Sequence, residues 1–303
     1  MEYPKLGLAG TRVSAIGIGG NQFGGAADAA TTARIVQRAL ELGVTHFDTA
    51  ESYGEGRSEE FLGRALKGHR DEAIIATKTG SAMLPEGRLS RRAIVARLDA
   101  SLKRLGTDYV DLYYLHFEDP GTSLEETLRA LDDMVRAGKV LYPALSNHAA
   151  WKLALSMGIC KSGGLAPPVV TQNAYNLLDR QVESELLPAC RHFGLALVPY
   201  FPLASGFLTG KYRRGEEPPA GTRGARSEAF QRKYLTPANF DVLERFERFA
   251  AERGHAVAEL AVAWLLARPE VCSVITGATS VEQVEANVNA GEWKLDVEEA
   301  RDL

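Results

Sequence analysis

The feature that most constrains this chain is an alternation of two kinds of segment. Short apolar, β-branched runs recur at AIGIG (15–19), VTHFD (44–48), AIIATK (73–78), YVDLYYLH (109–116), KVLYPALS (139–146), PVVTQN (168–173), LALVPY (195–200) and VCSVIT (271–276). Between them apolar residues return at helical spacing, as in TTARIVQRALELG, RRAIVARLDASLKRLG and SVEQVEANVNA. The segment SLEETLRALDDMVRAG opens with Ser123 three residues ahead of Glu126, which predicts a capping box, and stops at Gly138. Strands that alternate with helices pair in parallel, because each helix carries the chain back to the same end of the sheet. Eight such units with no shift in composition predict one α/β domain over 1–303, a closed (β/α)8 TIM barrel in preference to an open doubly wound sheet.

Two stretches fall outside the repeat. Residues 3–14 predict an N-terminal β-hairpin able to plug the barrel floor. The Gly-, Pro- and Arg-rich stretch 204–236 predicts a long, flexible loop after strand seven, and such loops in compact domains usually cover ligands. Helical segments at 237–253 and 256–268 then precede the eighth strand. With 303 residues the core needs no disulfide or metal staple. The formal charge of −4 argues against a generally basic nucleic-acid surface. No apolar run is long enough for a membrane span, and MEYPKLGLAG lacks a signal peptide's apolar region. Cys160, Cys190 and Cys272 are scattered, with no C-x-x-C pair, which suits a reducing, cytoplasmic compartment. No H-E-x-x-H or similar metal-ligand spacing occurs, so no metal is expected.

In such a barrel the active site lies where the strands' carboxyl ends meet their loops. Asp48 ends the second strand, Tyr53 follows in its loop, Lys78 ends the third strand and His116 the fourth. Neighbouring strand ends bring these four groups into one small volume. A lysine beside a tyrosine favours the phenolate and should lower the phenol's pKa, while an aspartate holds the lysine charged. A histidine within reach can orient a carbonyl or pass a proton. Together they describe a proton donor for a developing alkoxide, the requirement of carbonyl reduction. Taken singly, each has a plain structural explanation; three consecutive strand ends carrying all four argue against coincidence. GIGGNQFGG is not a dinucleotide fingerprint, because Gln22 stands at the third glycine position, and GFLTGKY is one residue short of a phosphate loop. His46 is read as structural, His148 lies near the mouth, and His69, His192 and His255 read as surface or helix-end residues.

FDTAESYGEGRSEEFLGRAL, ATKTG, LYYLH, LSN, YFPLASGFLTGKY and TGATSVEQVEAN, in that order, resemble the aldo-keto reductases from the amino-terminal hairpin to residue 293. The resemblance implies a (β/α)8 barrel binding an extended nicotinamide cofactor at its carboxyl mouth. Hydride passes from the cofactor to a carbonyl carbon and Tyr53 protonates the oxygen, with Asp48, Lys78 and His116 completing the catalytic set. Gly20, Asn21 and Asp48 at the first strand ends are implied on the cofactor side. Ser146, Asn147 and Gln172 correspond to residues that hold the carboxamide, and Tyr200 to the aromatic stacked on the nicotinamide. Phe201, where many relatives have serine, and Pro202 follow it. Leu203, Ser205, Gly206 and Lys211 resemble the loop crossing the pyrophosphate. Arg223 fits an arginine on the adenine side, with Arg213, Arg214 and Arg226 as alternatives. Gly277, Thr279, Ser280, Gln283 and Asn287 lie at the start of the last helix, a favourable anion site.

Two departures from the family pattern stand out. No Lys or Arg lies between Gly277 and Gly291, where many relatives bind the NADP 2′-phosphate, and Ala286 replaces a frequent acidic residue. YPALSN stands in place of a common GVSN. NADP(H) is favoured by the resemblance, with NAD(H) the alternative. The implied substrate is a small aldehyde or ketone. Rival readings are an NAD(P)-dependent alcohol or sugar dehydrogenase, a Schiff-base aldolase on Lys78, and a redox-sensing subunit like the potassium-channel beta subunits. Phe23, Phe117 and Trp151 are candidate pocket walls; substrate identity and oligomeric state are not legible.

Overall fold

The computed structural model describes residues 1–303, apart from the side chains of Val297 and Asp302. Its strands are β1 (Ile16–Gly19), β2 (His46–Asp48), β3 (Ile74–Thr79), β4 (Val110–Leu115), β5 (Val140–Ser146), β6 (Val170–Ala174), β7 (Ala196–Tyr200) and β8 (Val274–Gly277). All pair in parallel, in the order β7-β6-β5-β4-β3-β2-β1-β8. The seam between β7 and β8 is closed by residues just ahead of β8. Leu197 pairs with Val271, its amide donating to the Glu270 carbonyl (2.6 Å), and the Cys272 amide donates to the Leu197 carbonyl (3.2 Å). For this reason β8 begins three residues later than its apolar run.

The helices between strands are α1 (Ala29–Glu41), α2 (Arg57–Ala65), α3 (Arg91–Leu105), α4 (Leu124–Arg136), α5 (Ala150–Gly163) and α6 (Leu186–Phe193). After β7 come α7 (Arg223–Arg226), α8 (Glu228–Tyr234), α9 (Pro237–Ala251) and α10 (Val257–Leu266). Next after β8 come α11 (Val281–Ala290) and α12 (Val297–Asp302). Helix starts follow local chemistry: Asp28 accepts from the Thr31 amide (2.8 Å) to cap α1. Ser123 caps α4 by accepting from the Glu126 amide (3.2 Å), but the expected box is only half formed. The Glu126 carboxylate instead accepts from the Arg91 amide (2.9 Å), tying the start of α4 to the start of α3.

Burial explains the short apolar runs. One core lies between strands and helices, with Ile18, Phe47, Ile75, Leu98 and Leu131 fully or nearly fully buried. A second fills the barrel with Ala76, Leu112, Tyr114, Ala144, Val198 and Ile275. Leu6, Ala9 and Val13 complete this inner core. The expected hairpin is reduced to a single bridge, Lys5 to Arg12, yet it plugs the floor. Gly7, at φ +54°, lies so close to the amino end of β6 that a Cβ would fall 2.0 Å from the Val169 carbonyl.

The 204–236 stretch departs from the expected open loop. It contains a 3-10 turn at Ala204–Thr209 and both α7 and α8. Aromatic side chains spaced along it explain the order: Phe207 meets Phe240 of α9 (centroids 5.5 Å apart), and Tyr212 and Tyr234 both pack on Phe230 (5.4 and 5.1 Å). Helix α12, which periodicity did not predict, is held by the Trp264 indole donating to the Ala300 carbonyl (2.9 Å).

Candidate active site

Strand register brings the four expected groups together at the carboxyl ends of β2, β3 and β4. Asp48 closes β2, and Lys78 stands one residue from the end of β3. The Lys78 ammonium, with no solvent exposure, donates to Asp48 Oδ2 (2.5 Å) and to the Thr49 carbonyl (2.8 Å). Burial opposes the Lys78 charge, but Asp48 and Tyr53 together outweigh it and hold the amine above the ordinary lysine range. The other oxygen of Asp48 is also committed: Gln172 of β6 reaches across the barrel and donates Nε2 to Oδ1 (2.9 Å).

Tyr53 hangs over this pair, its ring centroid 5.0 Å from the Lys78 nitrogen. The loop doubles back through left-handed backbone at Gly54, Glu55 and Gly56 (φ 56°, 60° and 90°), pressed against the Phe23–Gly24 segment. Burial pushes the Tyr53 phenol up, and the Lys78 charge pulls it down without overcoming burial. The expected lowering is therefore corrected. The side chain is kept as a protonated phenol.

His116, directly after β4, meets Tyr53 edge-on with centroids 6.0 Å apart and stacks on Phe117 at 4.7 Å. Burial, followed by the Lys78 charge, lowers its pKa to about 3. At neutral pH its imidazole is uncharged and carries one N–H, and Nδ1 is buried with no partner among the described residues.

The implied carboxamide residues join the same network. Asn147, at φ +58°, donates Nδ2 to the His116 carbonyl and to Ser146 Oγ (both 3.0 Å), and its Oδ1 accepts from the Tyr200 hydroxyl (2.7 Å). Ser146 in turn donates to the Gln172 carbonyl (2.9 Å). Asp48, Gln172, Ser146, Asn147, Tyr200 and His116 are thus linked without a break. Gly20 lies beside the Asp48 backbone, its carbonyl accepting from Ser58 (2.7 Å), and Asn21 is exposed beyond it.

After Tyr200 the backbone is strained. Phe201, Ala204 and Ser205 have positive φ (56°, 47° and 59°), an unusual density for residues with side chains, and Gly206 follows at 97°. Pro202 and Leu203 lie within this turn. A Cβ on Gly206 would fall 3.4 Å from Lys211 Nζ, so the lysine amine lies over the turn. The choice among arginines narrows: Arg213 binds Glu247 (2.9 Å), Arg214 binds Glu244 (2.9 Å) and Asp241 (2.6 Å), and Arg226 donates to the Gly221 and Thr222 carbonyls. The Arg223 side chain, exposed, makes no ion pair or hydrogen bond among the described residues.

Gly277, Thr279, Ser280, Gln283 and Asn287 gather at the amino end of α11. Gln283 Oε1 accepts from the Thr279 amide (2.8 Å), Ser280 caps the helix, and Asn287 donates to the Gly277 carbonyl (3.2 Å). The cations near this end, missed in the sequence, come from α1. The Glu282 carboxyl is held below its usual range by the Ser280 hydroxyl first, with Arg34 adding to the effect, and Arg38 donates to Glu285 (2.8 Å). The signal available was the Arg34/Arg38 pair, four residues apart on TTARIVQRALE.

Other candidates lie elsewhere. His46 is fully buried inside the barrel against Ser273 (2.9 Å), and His148 bonds the Ser146 carbonyl (2.8 Å). Of the candidate wall aromatics, Phe117 touches the site; Phe23 is buried core, and Trp151 is 61% exposed on α5. Among the described residues no group of His, Cys, Asp or Glu is placed to hold a metal ion, and no helix is long and apolar enough to cross a membrane.

The aldo/keto reductase family model matches residues 15–303. L-glyceraldehyde 3-phosphate reductase of Escherichia coli K12 is 37% identical, across 96% of this chain and 87% of that protein. A probable voltage-gated potassium channel subunit beta of Arabidopsis thaliana is also 37% identical, across 96% of this chain and 91% of its own. Human aflatoxin B1 aldehyde reductase member 2 is 36% identical, across 93% and 82%. The chain belongs to the aldo/keto reductase family and is an NAD(P)H-dependent oxidoreductase.

Proposed function

We propose that this protein, acting as one domain over residues 1–303, reduces a small aldehyde or ketone with Tyr53 as proton donor. The observation that carries the reading is the placing of Tyr53 between a buried, charged Lys78–Asp48 pair and a neutral His116. The nicotinamide cofactor supplies the hydride when bound. Tyr53 gives its hydroxyl proton to the carbonyl oxygen as negative charge develops there. The Lys78 ammonium stabilises the phenolate left behind, and Asp48 keeps Lys78 charged. His116 offers a neutral N–H to orient the carbonyl. A lysine held above its ordinary pKa is a poor imine-forming nucleophile, which disfavours the aldolase reading.

The residues present fit the cofactor. Gln172 Oε1 has no partner among the described residues, and Tyr200 is anchored through its hydroxyl with Phe201 edge-on to its ring at 4.9 Å. Lys211 over the strained turn and the uncommitted Arg223 suit phosphates. NADP(H) is the cofactor we favour on the family resemblance, and Arg34 of α1 adds a cation beside Glu282 of α11. Three buried free cysteines support a reducing, cytoplasmic setting. The potassium-channel-beta relatives favour a second reading, a regulatory subunit that senses cofactor redox state. Tyr53→Phe separates the mechanism from both binding roles. Turnover of a carbonyl panel, followed by NADPH absorbance, should fall at least about a hundredfold while NADPH binding by fluorescence stays within about twofold. Undiminished turnover would remove Tyr53 from the mechanism.

A further inference from the structure

A cavity of about 520 Å³ lies on the outer side of the barrel rim, between α3 and the segments that follow β2 and β3. That volume is within the range of small-molecule pockets. Asp48, Tyr53, Lys78 and His116 do not line it. Its wall is one stripe of α3, in which Ala93, Ala96 and Ala100 alternate with Arg92, Arg97 and Arg104. Residues three and four apart share a helix face, so the alanine methyls form an open apolar floor edged by guanidinium groups.

The charge balance of the lining points to an anion. Three arginines stand against Glu51 in the lining and Glu59 behind it, one positive charge in excess, and Glu51 is already engaged. It accepts from the Gly80 amide (3.0 Å) and the Thr79 hydroxyl (3.3 Å), and Arg97 lies 3.4 Å away. Arg104 is tied to the buried Glu59 (2.6 Å). Arg97 makes no hydrogen bond among the described residues, and Arg92 makes neither a hydrogen bond nor an ion pair. The hydroxyls of Ser52 and Ser90, also in the lining, are likewise without partners among the described residues. What the cavity has to offer is therefore N–H and O–H donors, net positive charge and a shallow apolar floor.

We propose that this cavity binds a small organic anion, a phosphate ester or carboxylate with a short apolar body. Arg92 and Arg97 take the oxyanion, and the body lies along Ala93, Ala96 and Ala100. Charge-assisted bonds from arginine are the strong ones for such groups, and a guanidinium presents them as a fork. The site is independent of the catalytic reading, since it shares none of the four catalytic side chains.

The test is calorimetric titration of the full-length protein with phenyl phosphate, at fixed ionic strength and with excess NADPH to cover the cofactor's phosphate sites. Hexanoate and inorganic phosphate are titrated separately. One phenyl phosphate or one hexanoate should bind per chain, the better of the two identifying the anion class, and inorganic phosphate should bind more weakly for want of a body. Arg92→Ala should weaken binding about tenfold. Ala96→Phe, which fills the floor from an exposed position, should abolish it. Absence of binding by both organic probes at millimolar concentration would overturn the proposal, as would binding that Arg92→Ala leaves unchanged. The readout is binding, so its failure leaves carbonyl reduction untouched, and loss of turnover in a Tyr53 variant leaves this site untouched.

Discussion

Replacing Lys78 with methionine keeps the side chain's length and removes its charge at a position with no solvent exposure. Asp48, 3% exposed, loses the bond at 2.5 Å, and the Thr49 carbonyl loses its bond at 2.8 Å. Breaking a buried ion pair from one side costs about 3–5 kcal/mol, and an orphaned carbonyl adds roughly 1 kcal/mol. Gln172 still donates to the other oxygen of Asp48, and the methionine is at ease in an apolar interior. Those two effects bring the net loss to about 3–4 kcal/mol, a fall in melting temperature of roughly 5–10 °C for a chain of this size. Asp48→Asn in the same chain removes the stranded carboxylate while keeping an acceptor for Gln172. The double variant should recover about half or more of the loss and none of the turnover. Calorimetric melting paired with NADPH oxidation reads both. A Lys78→Met melt within about a degree of wild type, or a double variant no more stable than the single, would refute a stabilising role for the buried Lys78–Asp48 pair.

His116 and His46 are held by burial at about 3 and about 4, so the unfolded chain takes up protons that the folded chain refuses. Their contribution to stability is complete above about pH 6.5 and is lost as pH falls toward those values. Urea unfolding across that window should show the slope, and His46→Gln should flatten it. For the same reason kcat should show no break from His116 between about pH 5 and 8; a break that vanishes in His116→Gln would contradict a neutral imidazole. Gly7→Ala, which needs a Cβ 2.0 Å from the Val169 carbonyl, should destabilise by more than about 1 kcal/mol in urea unfolding, and equal stability would displace the plug from the floor. Arg223→Ala should weaken NADPH binding about tenfold by fluorescence, whereas Arg213→Ala, already tied to Glu247, should change it less than about twofold. The reverse order would assign the adenine side to Arg213.

Much of this was legible because the local signals and the global fold agree. Apolar runs such as YVDLYYLH announce strands buried on both faces, and parallel succession alone places Asp48, Lys78 and His116 on adjacent strand ends. What escaped depended on distance along the chain. The Gln172–Asp48 bond joins residues 124 apart, across the barrel. Arg34 reaches α11 only because α1 and α11 are neighbours on the barrel wall. The order in 204–236 rests on aromatic residues that meet only once the chain folds back onto α9. The Tyr53 phenol was misjudged for a related reason: its neighbour Lys78 was visible in the sequence, and the depth of its burial was not.

The plug at the barrel floor bears on the traffic of protons. Leu6, Ala9 and Val13 close the amino-terminal end, and apolar side chains such as Leu112, Ala144 and Val198 fill the interior above them. The open side for a Tyr53 that has given up its proton is therefore the carboxyl mouth and not the plugged floor. In the proposed reaction Tyr53 is recharged through the carboxyl mouth, the same opening that ligands enter and leave. Each occupancy of the mouth then comes with one proton already loaded, and product departure and reprotonation share a single doorway. A solvent isotope effect on turnover would accordingly report on release at the mouth as well as on the transfer from Tyr53.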